Sequence, residues 1–228
     1  MSFLSVSHNS FNTKGFPWAE RVATGLTSGP ACDACGVKQL VAAGDIDVTL
    51  EPRKGSAWPD VLGCGAYPFF IVSARVIEAW EEDRIGPYPH HRINVLPPFP
   101  EQLRARSSPE YFWLDGAGMR GALLDFVASG FVGVRFCPQC GNRTEDIGAT
   151  YERRRSKDWP YEFIPDTWTG AKLFTTDLSP TKFFCTDDVL QSAARHGLTN
   201  FRFLRAEEGQ APSREGIKYL PKRGRDRV

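Results

Sequence analysis

The chain has 228 residues and a net charge of +1, with 41% apolar and 24% charged residues, a make-up that excludes a disordered or strongly polyionic protein. Its length suffices for one large or two small domains with a full hydrophobic core. Sixteen Phe and 6 Trp beside 17 Pro and 21 Gly predict short strands, many turns and aromatic packing rather than a helical bundle.

In chain order, a short strand is expected at Phe3–Val6, and residues 8–31 read as irregular. The segment Cys32-Asp-Ala-Cys35-Gly36 follows, and then a strand within Val37–Leu50, where Ile46, Val48 and Leu50 alternate. Residues 66–97 read as a strand–helix–strand unit. Pro68–Ser73 is its aromatic strand, Ser73 stands at the N-cap, Val76, Ile77 and Trp80 share one helical face, and Ile93–Leu96 returns. Pro97-Pro98-Phe99-Pro100 breaks the chain before a short helix at Glu101–Arg106 and a strand at Glu110–Leu114. Met119–Val127 is open to helix or strand. Gly130–Phe136 runs into a second segment of the first kind, Cys137-Pro-Gln-Cys140-Gly141.

Beyond it lie the basic run Tyr151–Lys157, expected at the surface, and an aromatic connector of Trp159, Tyr161, Phe163 and Trp168. Residues 181–206 repeat the earlier unit, with strand Thr181–Thr186, N-cap Thr186, helix face Val189, Leu190 and Ala193, C-terminal cap Gly197 and strand Asn200–Leu204. The expected fold is α+β, a mixed sheet built from these two similar units, with residues 1–210 as a single domain. Residues 211–228 form a basic tail carrying six cations from Arg214 onward, which reads as a solvated terminus.

The two C-x-x-C-G segments carry the chemistry. In such a knuckle the two residues between the cysteines make a tight turn, and the glycine supplies the positive φ of the reversal. Four thiolates about 2.3 Å from one Zn²⁺ make a closed tetrahedral site. Cys32, Cys35, Cys137 and Cys140 are therefore expected to hold one structural zinc ion in a zinc-ribbon-like site that joins two distant parts of the chain. Disulfides between cysteines three apart are strained, and two redox motifs in one chain are uncommon. Cys64 and Cys185 are unpaired in sequence and read as small core residues. His90-His91 lacks a third ligand at suitable spacing. There is no H-E-x-x-H, no G-x-S-x-G and no phosphate-binding glycine loop, and Asp115–Gly118 is too short for a nucleotide fingerprint, so no enzyme is expected.

No stretch approaches the roughly 18–20 apolar residues of a membrane helix, so no membrane partner is expected. The opening MSFLSVSHNSF lacks a charged leader and apolar run, which with unpaired cysteines points to the cytoplasm.

The two C-x-x-C-G segments and the closing stretch Leu173–Thr176, Phe183–Asp187 and His196–Phe203 together resemble the double-CXXCG motif family of myxobacteria, immunity partners of swarm-inhibition lipoprotein toxins. The similarity spans Phe3–Leu204, and Asn200 stands where that family usually has glycine. The resemblance implies a cytoplasmic protein that binds and neutralises a cognate toxin. Candidate contact residues are Glu78, Glu81, Glu82 and Asp83, which offer negative charge, and Arg153, Arg154 and Arg155, which offer positive charge. The alternative is a zinc-ribbon nucleic-acid-binding protein, for which the same arginines, Lys157 and the basic tail would contact phosphates.

Overall fold

A computed structural model describes residues 2–8, 15–51, 55–64, 70–155 and 159–206. Its elements are β1 (Leu4–His8), β2 (Trp18–Ala31), β3 (Lys38–Leu50), β4 (Val61–Cys64), β5 (Ile71–Ser73), α1 (Ala74–Glu82), β6 (His90–Leu96), β7 (Tyr111–Leu114), β8 (Arg120–Ala122), β9 (Arg135–Phe136), β10 (Arg143–Thr144), α2 (Ile147–Arg155), β11 (Leu173–Thr176), β12 (Ser179–Cys185), α3 (Asp187–Arg195) and β13 (Phe201–Arg205). The class is α+β. The basic tail from residue 211 lies outside the described residues. Among the described residues no helix is long and apolar enough to cross a membrane.

The strands do not form one mixed sheet, which corrects the expectation. Six close into a barrel in the order β2-β3-β6-β7-β5-β4, and five form a separate sheet, β13-β1-β12-β11-β8. The first strand–helix–strand stretch (β5, α1, β6) lies in the barrel and the second (β12, α3, β13) in the sheet, so neither pairs with the other. Residues 18–31, read from sequence as irregular, form β2. Gly, Ser, Thr and Pro give this segment weak strand preference, and antiparallel pairing with β3 from Ala19↔Leu50 to Ala31↔Lys38 overrides it.

Side-chain alternation divides three cores. Ile46, Val48, Leu50, Leu62, Ile71, Ile93, Tyr111 and Trp113 fill the barrel. Val61, Val72 and Leu114 on the same strands project outward and meet Val76 and Trp80 of α1, Val189 and Ala193 of α3, and Leu4, Val6, Phe183 and Cys185 of the sheet. The other sheet face carries Phe3, Phe174 and Phe184, covered by Leu124, Phe131 and Tyr161. The sheet is thus apolar on both faces, which explains why Phe183-Phe184-Cys185 is a continuous apolar run rather than an alternating one. Cys64 and Cys185 are both buried, as expected.

Ser73 and Thr186 occupy the N-caps of α1 and α3, but neither side chain makes the capping bond. Thr186 Oγ1 donates instead to Asp188 Oδ2 (2.8 Å), and Ser73 Oγ donates to Asp60 Oδ1 (3.2 Å). Asp60 ties the barrel to the sheet layer. Its carboxylate also accepts from Arg75 Nη1 (3.0 Å), the Thr199 amide (2.7 Å) and Thr199 Oγ1 (2.8 Å). The Asn200 side-chain Nδ2 donates to Val61 O (2.7 Å) from a left-handed backbone with φ 64°. Asparagine tolerates that conformation through its short polar side chain. The helices are joined at their C-terminal ends by Asp83, whose carboxylate pairs with Arg195 and lies 3.2 Å from His196 Nε2. The Ser192 hydroxyl beside it, with Arg195 and His196, holds the Asp83 carboxyl below its ordinary range.

Asn200→Ala is expected to destabilise by about 2 kcal/mol, from backbone strain and the lost buried hydrogen bond. Asn200→Gly removes only the hydrogen bond and should cost about half as much. Urea unfolding of the two variants checks the order, and equal losses would remove the strain argument.

Candidate metal centre

The two knuckles sit at the tips of two hairpins. β2 and β3 pair with each other well beyond the barrel wall, since β6 meets β3 only from Ile46 to Thr49 and β4 meets β2 only at Trp18 and Ala19. From Ile46 to Lys38 the ribbon runs on for about 27 Å at roughly 3.4 Å per residue. A register shift marks its exit at Gly25, where φ is 88° and an added Cβ would lie 2.2 Å from Asp45 O. Only glycine fits that bulge.

At the ribbon tip the Cys32 amide donates to Val37 O (3.0 Å) and the Gly36 amide to Cys32 O (2.7 Å), with Gly36 at φ 70°. The second knuckle repeats this in the β9–β10 hairpin. The Cys137 amide donates to Asn142 O (2.8 Å) and the Gly141 amide to Cys137 O (2.9 Å), with Gly141 at φ 67°. The positive φ expected of both glycines is present. The second hairpin is fixed to the body by Arg143, whose Nε donates to Leu178 O (3.0 Å) and whose guanidinium lies over the Phe126 and Phe131 rings.

The four cysteine sulfurs converge within 4.8 Å of one another. Cys32 Sγ is 3.7 Å from Cys137 Sγ and Cys35 Sγ is 3.5 Å from Cys140 Sγ, each pair joining residues 105 apart in sequence. Four sulfurs about 2.3 Å from a common centre in tetrahedral array are about 3.8 Å apart, so the group can hold one metal ion. Among the described residues no other cluster of His, Cys, Asp and Glu is so placed.

The sulfurs are not equivalent. The Cys140 and Gln139 amides hold the Cys137 thiol down at about 6. The Val37 amide lowers the Cys35 thiol, but loss of hydration and the sulfurs of Cys140, Cys32 and Cys137 outweigh it and push it up to about 12. The backbone amides thus favour the thiolate at Cys137 over Cys35, and a metal must displace protons to engage the set.

The contact residues expected from sequence are dispersed. Glu78, Glu81 and Glu82 are exposed on α1, whereas the Asp83 side chain is only 9% exposed and is engaged with α3. Arg153 lies over the Trp159 ring. Arg154 lies over Phe131 and Tyr161 and donates to Ser129 O, so it packs against the aromatic core. Arg155 ends α2, a helix that the basic composition hid. Its start is set by Asp146, whose Oδ1 accepts from the Ala149 amide (2.9 Å). His90 Nδ1 lies 3.0 Å from Tyr88 O, and His91 stacks on Trp113. The Asp60 junction had no sequence signal, because its partners Ser73, Arg75 and Thr199 become neighbours only in the fold.

No family model matches the chain, and no curated protein matches it.

Replacing Cys32 or Cys140 by Ser should abolish stoichiometric metal binding and lower the melting temperature, because ligation and folding are one equilibrium. Metal analysis and thermal unfolding check this, and unchanged values would separate the knuckles. Metal uptake at pH 7 should release protons, and affinity should fall as pH drops, since each thiol must ionise to bind.

Proposed function

We propose that the chain is an immunity protein that binds and neutralises a cognate antibacterial toxin domain in the cytoplasm, with a single structural Zn²⁺ on Cys32, Cys35, Cys137 and Cys140. The observation that carries the metal's role is the ligand set itself, four cysteine sulfurs from two hairpins 105 residues apart. A four-thiolate tetrahedron suits zinc among the common ions of a reducing compartment. With every position taken by protein, the ion organises the fold and offers no site for water or substrate. A metal used in this way belongs to a binding module rather than a hydrolase, and the resemblance to the double-CXXCG motif family supplies the partner, a toxin.

In the same reading residues 1–210 are one domain, and the two strand–helix–strand stretches are copies of one unit. In support, β5 and β6 flank the antiparallel β7 just as β12 and β13 flank the antiparallel β1. The nucleic-acid alternative draws less support, because Arg153 and Arg154 are occupied with Trp159, Phe131 and Tyr161.

The test is titration calorimetry of the metal-loaded protein with the toxin domain encoded by the neighbouring gene. Tight one-to-one binding and loss of toxicity on co-expression are expected. A folded, metal-loaded protein that neither binds nor protects would end the immunity reading. Cobalt substitution should give the intense charge-transfer absorption of four thiolates, and a spectrum with fewer sulfur ligands would reopen catalysis.

A further inference from the structure

The chain leaves α1 through Asp83 and Arg84. Arg84 has φ 53°, a left-handed backbone that glycine adopts freely and a long side chain does not favour. Its amide donates to Glu81 O (3.1 Å), but its guanidinium enters no hydrogen bond or ion pair among the described residues. Asp83 beside it, by contrast, is engaged with Arg195 and His196.

Arg84 lines a cavity of about 280 Å³ walled by Ile77, Ile85 and Pro87 and by Trp80 and Tyr88. The Trp80 and Tyr88 rings meet edge to face, with centroids 5.3 Å apart. Trp80 is fully buried, and its indole Nε1 has no hydrogen-bond partner among the described residues. The Tyr88 hydroxyl is likewise buried without one. Burial, with Cys185 nearby, pushes the Tyr88 phenol up, so it stays protonated and able to donate. Buried polar groups nearly always have a partner, and two orphaned donors in the lining of one cavity call for an acceptor. Among the lining residues Glu81 brings one carboxylate and Arg84 one guanidinium, both exposed, so their charges cancel and an anion meets no net repulsion. The remaining polar residue is His90, whose Nδ1 lies 3.0 Å from Tyr88 O; a carbonyl only accepts, so that nitrogen carries a proton.

We infer that this cavity is a binding site for a small apolar carboxylic acid, whose carboxylate pairs with Arg84 and accepts from Trp80 Nε1 and the Tyr88 hydroxyl. Guanidinium and carboxylate pair bidentately, and the two carboxylate oxygens offer about four lone-pair sites, enough for the buried donors as well. The hydrocarbon body lies against Ile77, Ile85 and Pro87. The volume falls just below the roughly 300–1,000 Å³ of drug-sized sites, which limits that body to one ring or a short branched chain. Such a site needs neither a toxin nor the metal.

The test follows the indole N–H resonance of Trp80, identified by its Overhauser contacts with Tyr88, in nitrogen–proton NMR of the metal-loaded full chain. Phenylacetate, benzoate and isovalerate are the probes, and phenethylamine is the cationic control. At least one acid should shift that resonance saturably and raise the melting temperature, and phenethylamine should do neither. Arg84→Gly should weaken binding of that acid about tenfold, through loss of a charge-assisted pair. Its own melting temperature should not fall, because glycine suits the left-handed turn, and this separates loss of contact from loss of fold. Tyr88→Phe should weaken binding about threefold. A resonance that none of the three acids shifts would overturn the proposal. So would an amine that binds as well as the acids, or acid binding that Arg84→Gly leaves within about twofold.

Discussion

A two-stranded ribbon that leaves its barrel has no third strand to share its hydrogen bonds and no sheet face to bury, and isolated hairpins are marginal in water. The β2–β3 ribbon is in that position from about Gly25 and Gly44 onward, and its tip meets the β9–β10 hairpin, itself two residues a side. The two tips meet at the group of four sulfurs, which can hold one metal ion. Metal ligation of this kind is worth about 10–16 kcal/mol in small zinc modules, enough to hold both hairpins.

Elsewhere the layers are joined by ordinary packing and one buried polar junction. The outer wall of the barrel, the α1–α3 pair and one face of the five-stranded sheet share a single apolar core. Asp60 lies at its margin, 6% exposed, and its carboxylate is satisfied from α1, from its own N-cap serine and from Thr199. A buried carboxylate without those donors would be strongly destabilising, so the junction sets how the barrel meets the sheet as well as adding stability. Tyr111 extends the arrangement inward, donating to Pro59 O (2.6 Å) from inside the barrel.

The Asp60 junction is committed to architecture, with its donors matched inside the chain, whereas α1 turns Glu78, Glu81 and Glu82 outward toward the end where the helix dipole opposes them.

Local chemistry could be read directly. The C-x-x-C-G pairs determined the ligands and the two matching turns, because a knuckle needs only its own five residues to form. The apolar spacing of Val76, Ile77 and Trp80, and of Val189, Leu190 and Ala193, determined both helices and their buried faces. The Ile46, Val48, Leu50 alternation determined β3. Hidden from the sequence were β2, whose composition reads as turn, and α2, whose charges mask its periodicity. Closure of six strands into a barrel and the division of the two strand–helix–strand stretches between barrel and sheet were decided by pairings across scores of residues. So was the use of Ser73, which stands at a cap but donates its hydroxyl hydrogen bond to Asp60, a residue the fold brings beside it. Sequence determines what each segment can offer to its neighbours; which neighbour it receives is a property of the packed whole.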